Sequence, residues 1–122
     1  MINTNVLSLA INANDNIFVG TQPDSLFCSI DNGISWTRIN TGLIAFSGIV
    51  NTFTFNASGH VFAGTFINGV FRSTNNGDNW TDINSGLTNL KVYAFAFNSG
   101  GTIFAGTVGG VFSSTDNGDH WE

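Results

Sequence analysis

Three observations predict an all-β chain made of three repeated units. Around Trp36, Trp80 and Trp121 the sequence reads SIDNGISW, STNNGDNW and STDNGDHW, and upstream of each it reads IFVGT, VFAGT and IFAGT. Gly20, Gly64 and Gly106 stand about 44 and 42 residues apart and the tryptophans about 44 and 41 apart, a period typical of stacked or radially arranged repeats. Only 9% of the 122 residues are charged and 42% are apolar, with 12 phenylalanines and 15 glycines. Phe, Val, Ile and Thr suit half-buried pleated surfaces, and Asn and Gly suit turns. No segment sustains apolar residues at helical spacing, so essentially no helix is expected.

Each unit opens with an alternating stretch, LSLAIN (Leu7 to Asn12), NTFTFN (Asn51 to Asn56) and YAFAFN (Tyr93 to Asn98). Large residues (Leu9 and Ile11, Phe53 and Phe55, Phe95 and Phe97) alternate with small ones, a period of two that sends bulk to one face and leaves the other open to close approach. After an Asn/Asp or Gly turn comes a second stretch, Ile17 to Thr21, Val61 to Thr65 and Ile103 to Thr107, apolar on both faces and hence a strand covered on both sides. The third runs from Leu26 to Ile30, Val70 to Thr74 and Val111 to Thr115, with Phe27, Phe71 and Phe112 in register. A fourth begins beside each tryptophan and continues as TRIN (Thr37 to Asn40) and TDIN (Thr81 to Asn84). Four short antiparallel strands repeated at about 40 residues make a blade of a β-propeller. The expected blades span residues 4–40, 48–84 and 90–122 of a single domain.

The turn between the third and fourth strands carries the most specific pattern, Ser-x-Asp-x-Gly-x-x-Trp. It is met by Ser29, Asp31, Gly33 and Trp36 and by Ser114, Asp116, Gly118 and Trp121; the middle copy, Ser73, Asn75, Gly77 and Trp80, has Asn for Asp. These residues resemble the Asp-box, or BNR repeat, of sialidases, xyloglucanases, sortilin-type receptors and photosystem II assembly-factor propellers, and the resemblance covers nearly the whole chain. A structural role is expected. The Asp or Asn accepts hydrogen bonds from backbone N–H groups two residues on, the Gly supplies φ > 0, and the Trp covers the turn while its N–H finds a partner. In the family these turns sit on the outer rim, away from the substrate site.

Three blades cannot close a ring, and rings of this family have six or more. An open array leaves the apolar flanks of its terminal blades in water. Either two copies join about a two-fold axis into a six-bladed ring, the commonest oligomer symmetry, or the chain is a piece of a longer propeller. The homodimer is the favoured expectation. Ile2-Asn3-Thr4 echoes Ile39-Asn40-Thr41, so it could extend the outer strand that Glu122 leaves unfinished.

In such a ring, ligand is expected on the face lined by loops between strands two and three and between successive blades, where the copies differ most. The candidate ligand-binding residues are Gln22, Asp24, Phe46, Phe66, Asn68, Asn89 and Lys91. Phe46 and Phe66 interrupt otherwise small or polar loops, as a sugar-binding platform would, or else both rings fold back over the blade tops as core.

Enzyme chemistry finds little support. The sialidases that the box resembles clamp a carboxylate with three arginines and use a tyrosine assisted by a glutamate. This chain has Arg38 and Arg72 on outer strands, Tyr93 as its one tyrosine, and its one glutamate at Glu122. A glycosidase needs two carboxyl groups about the scissile bond, and Asp24 alone lies in a pocket-facing loop. No catalytic residue, cofactor or metal is expected; His60 and His120 lack a partner at ligand spacing, and Cys28 is expected to be a buried, inert thiol. The net charge of −5, with Lys91 and two arginines the only cations besides histidine, argues against nucleic acid as a partner. With neither a signal-peptide pattern nor a membrane-length apolar run, the chain is expected to be soluble, its composition suiting an extracellular bacterial protein. The resulting expectation is a non-enzymatic module binding a glycan or a protein surface. The alternatives are part of a glycan-processing glycoside hydrolase, and an excised or engineered half-propeller without an evolved ligand.

Overall fold

The computed structural model describes residues 5–22, 25–42 and 49–122. Asp24, Phe46 and the Ile2-Asn3-Thr4 segment lie outside them. Among the described residues all regular structure is β. The first sheet contains β1 (Asn5–Ile11), β2 (Ile17–Gln22), β3 (Ser25–Ser29) and β4 (Thr37–Arg38). The second contains β5 (Val50–Phe55), β6 (Val61–Thr65), β7 (Val70–Ser73) and β8 (Thr81–Asp82), and the third β9 (Val92–Phe97), β10 (Ile103–Thr107) and β11 (Gly110–Ser114). Every sheet is an antiparallel meander with its strands in chain order. In the third sheet a reciprocal pair of hydrogen bonds between Ser113 and Glu122, each 2.9 Å, begins the fourth-strand position.

Register repeats from sheet to sheet. Val19 faces Phe27, Ala63 faces Phe71 and Ala105 faces Phe112. Each pairing of first with second strand carries an irregularity near its loop-facing end, between Val6 and Ser8, Val50 and Thr52, and Gly106 and Thr107. Such bulges add local twist. The opposite hairpin ends are closed by Asn12, Asn56 and Asn98, whose Oδ1 atoms accept backbone N–H bonds from two and four residues on.

Two apolar seams hold the sheets face to face. Phe18, Leu26, Cys28 and Ile39 of the first sheet's side meet Val50, Val61, Ala63, Phe71 and Trp80 of the second, with Phe53 and Phe55 packed against them. The second seam repeats the pattern one unit later, Phe62, Val70 and Ile83 against Val92, Ile103, Ala105 and Trp121, with Phe95 and Phe97 packed alongside. The alternation seen in the first stretches is therefore a sheet-packing device, the large residues of the second and third sheets facing the preceding sheet. Gly20 and Gly64 make room in return. An added Cβ would lie 3.0 Å from Val50 Cβ at Gly20 and 2.7 Å from Val92 Cγ1 at Gly64.

The Ser-x-Asp/Asn-x-Gly-x-x-Trp turns differ from expectation in three respects. The acidic or amide oxygen reaches four residues on, to the N–H of Ser35, Asn79 or His120 at 2.9 Å. The N–H two residues on, that of the glycine, goes to the serine instead. Ser29, Ser73 and Ser114 each accept the glycine N–H at 2.8 Å and donate their hydroxyl to Asp31, Asn75 or Asp116. Positive φ is needed twice, at Asn32, Asn76 and Asn117 as well as at the following glycine, and Asn is the side-chain-bearing residue that best tolerates it. The tryptophan also does more than cover its own turn. Trp80 Nε1 donates to Ile39 O at 2.7 Å and Trp121 Nε1 to Ile83 O at 2.8 Å, so each ring clips its sheet to the preceding one.

Candidate functional site

The loops at the glycine-threonine end of β2, β6 and β10 form one edge of the molecule. Of the expected ligand-facing residues, Phe66 and Lys91 are brought together here. Phe66 follows β6 directly and its N–H donates to Ile49 O at 2.9 Å, which carries the strand pairing one step further and turns the ring outward. Lys91 Nζ lies 5.4 Å from the centre of that ring, a cation–π distance. On the other side Tyr93 meets Phe66 edge to face, centroids 6.3 Å apart. Phe66 is 37% exposed and Tyr93 49%, so the pair is a fixed aromatic surface open to solvent rather than core. Tyr93 was missed as a site residue by sequence reasoning. Its signal was available: the matched positions hold Leu7 and Asn51, neither of which carries an aromatic ring.

Asn68 and Asn89 shape the loops. Asn68 N–H donates to Thr65 Oγ1 and its carbonyl accepts from Asn84. Asn89 Oδ1 accepts the Lys91 N–H at 3.0 Å, and its side chain packs where a Cβ on Gly109 would stand. A bond from Gly69 N–H to Leu90 O joins the two loops. Gln22 is exposed at the end of β2, at the register position of Phe66 on the neighbouring sheet. Asp24 and Phe46 fall outside the described residues. An open cleft of about 480 Å³ beside this edge is lined by Asn68, Leu90, Asp82 and Asn84 together with Trp80 and Gly42.

The acidic residues sit elsewhere. Asp31 and Asp116 have pKa values lowered to about 2, the first mainly by its hydrogen bond from Ser35 and the second mainly by that from His120. A carboxyl so depressed is ionised at neutral pH, the reverse of what a general acid needs. Asp119 pairs with Arg72 at 2.8 Å across the second seam, and Arg72 also donates to Asn117 O. Burial pushes the Cys28 thiol up, with Asp78 adding to the effect. Among the described residues no group of three or more His, Cys, Asp or Glu side chains is gathered as a metal would require, and no helix is long and apolar enough to cross a membrane.

No protein-family model and no curated protein matches the sequence. Solved structures do. An ancestral GH74 enzyme superimposes with a TM-score of 0.78 and 25% identity over 95% of this chain and 18% of its own. YCF48 from Cyanidioschyzon merolae gives 0.75 and 15% over 100% of this chain and 38% of its own. Virginiamycin B lyase from Staphylococcus aureus gives 0.76 and 16% over 99% and 41%. These are β-propellers, and the three packed meanders are a sector of such a fold. The chain spans well under half the length of each of these structures.

Proposed function

We propose that the chain is a non-enzymatic Asp-box propeller module that binds a glycan or a protein surface through its loop-rich face, in a ring completed by a second copy. The observation that carries this reading is the Phe66, Tyr93 and Lys91 cluster. A flat apolar face stacks on a sugar ring or an apolar side chain, and a cation above it adds a polar donor. The rings are held in place by each other and by loop backbone bonds, which lowers the ordering cost of binding. Structures of similar fold include one of YCF48 bound to a D1 peptide, so a peptide ligand is compatible with this architecture.

The test is titration of the chain with a β-glucan oligosaccharide and, separately, with a short apolar peptide, followed by NMR. One of the two is expected to shift the Phe66 and Tyr93 resonances, and Phe66→Ala to weaken that binding at least about tenfold, the effect of a hot-spot residue. Binding that survives Phe66→Ala unchanged rules out the aromatic platform.

The likeness to an ancestral GH74 enzyme supports a second reading, part of a glycoside hydrolase. It requires two carboxyl groups about the bond, and Asp24 with its mate from a second copy is the pair that the sequence offers. Hydrolysis of the β-glucan that disappears in Asp24→Asn would establish it and overturn the non-enzymatic reading.

A further inference from the structure

The first sheet leaves one flank uncovered and the third sheet the other, and residue by residue the two flanks are the halves of a seam. On the leading flank, Val6, Leu9 and Ile11 are 50%, 65% and 58% exposed. Their counterparts are Val50, Phe53 and Phe55 in the first seam and Val92, Phe95 and Phe97 in the second, with Val50 and Val92 fully buried. On the trailing flank, Val111 is 72% exposed where Leu26 and Val70 are fully buried, and Phe104 is half-buried where Phe18 and Phe62 are fully buried.

The polar contacts are also left half-made. Asn12 Nδ2 donates to Asn76 Oδ1 and Asn56 Nδ2 to Asn117 Oδ1 across the two seams. The next members of that series are Asn98 on the trailing flank and Asn32 on the leading one, both exposed. Trp36 is half-buried where Trp80 and Trp121 are 3% exposed. Ile34, 82% exposed, stands at the turn position occupied by Asp78 and Asp119 in the later copies, and the position of Arg72, which pairs with Asp119 across the second seam, is held on the trailing flank by the uncharged Ser113.

Gly106 supplies the independent argument. A Cβ on Gly20 or Gly64 would meet a valine of the following sheet (Val50 Cβ at 3.0 Å, Val92 Cγ1 at 2.7 Å) as well as Ser8 or Thr52 of its own sheet, whereas a Cβ on Gly106 would meet no described atom closer than Ala94 at 3.8 Å. Among the described residues, nothing requires glycine there.

We infer that the trailing flank takes a second copy of this chain, whose Val6 seats on Gly106 as Val50 seats on Gly20 and Val92 on Gly64. Two copies then form both junctions at once about a two-fold axis, closing the array. The inference rests on the proposed ring but not on its ligand. It extends an interface that the chain already makes twice within itself, and it needs no contact of a new kind.

The experiment is solution mass by light scattering over a dilution series, on the parent chain and on Gly106→Val and Val6→Asp. The first variant fills the seat at a position where an added Cβ makes only ordinary contact with Ala94, and the second places a charge on a residue that is half exposed in the monomer. The parent is expected at about twice 13.0 kDa and both variants at the single-chain mass with unchanged β circular dichroism. If Gly106→Val alone fails to fold, Val6→Asp decides. A parent monomeric throughout would overturn the inference and assign the flanks to further sheets of a longer chain. A dimer indifferent to both substitutions would overturn it by placing the interface elsewhere, and a ladder of masses would overturn closure by two copies. Mass is read without ligand, so failure here is distinct from failure of the Phe66 titration.

Discussion

At residue scale the chain contains its own control for the role of charge in the repeated turn. Asn75 shares two of the bonds of Asp31 and Asp116, accepting the Asn79 N–H at 2.9 Å and the Ser73 hydroxyl at 3.0 Å, but its Nδ2 donates to Asn79 Oδ1 where their second carboxylate oxygens bond Ser35 and His120, and it carries no carboxyl to titrate in acid. The two aspartates have folded pKa values near 2 against about 3.9 in an unfolded chain. A folded value below the unfolded one means that the contribution is fully present above about pH 4 and is lost as pH falls toward 2. Acid denaturation followed by tryptophan fluorescence should therefore show a destabilising slope in that window, and Asp31→Asn with Asp116→Asn should flatten it while leaving the neutral-pH fold intact. The turn pattern itself was legible in the sequence. Which atom bonds which N–H was not, because Ser29, two residues before Asp31, competes for the same donors and wins the nearer one.

At the scale of elements, the seams decide which glycines matter. Gly64 lies in a fully buried strand, and a Cβ there would be 2.7 Å from Val92 Cγ1, 2.8 Å from Thr52 Cγ2 and 3.0 Å from Phe95. The approach involves three side chains from two strands, so no single rotamer change relieves it. Gly64→Ala should cost about 1–3 kcal/mol, the range for overpacking, in urea melts, and Gly106→Ala should be nearly neutral in a monomeric background. Strands, their order and their apolar faces could be read from the alternation LSLAIN, NTFTFN and YAFAFN. The direction of packing could not, since a period of two separates the faces without saying which neighbour each one meets. Cross-seam bonds such as Asn56 to Asn117, separated by 61 residues, were hidden for a related reason: the recurring Asn at the end of each first stretch looks like a turn residue, which it also is. Tyr93 and Phe66 were separately visible as aromatics, and only the bulged entry of β9 and the turn after β6 bring them edge to face.

For the whole molecule, stability in an array of this kind is approximately a sum of unit terms and nearest-neighbour seams. The second sheet has a seam on each side, and β6 is buried along its whole length. The first and third sheets have one seam apiece within the chain, which leaves Val6, Leu9, Ile11 and Val111 exposed. A single chain should therefore open from its two ends inward, with β6 amides exchanging slowest and those of β1 and β11 fastest, because local opening free energy follows buried contacts. A second copy changes this gradient in a specific way. It covers the outer flanks and adds nothing to the faces of the middle sheet. Complete burial of one aliphatic side chain is worth about 1.5–3 kcal/mol, and about 1.4 kcal/mol is a factor of ten in an exchange rate. Hydrogen exchange on the parent and on Gly106→Val at equal concentration should show the β1 and β11 amides speeding up by at least about tenfold in the variant, with β6 amides changing less. A uniform acceleration across all three sheets would mean that the chain opens as one cooperative unit and that its seams are not separable. Unchanged rates at both ends would mean that the exposed flanks are solvated in the parent as well.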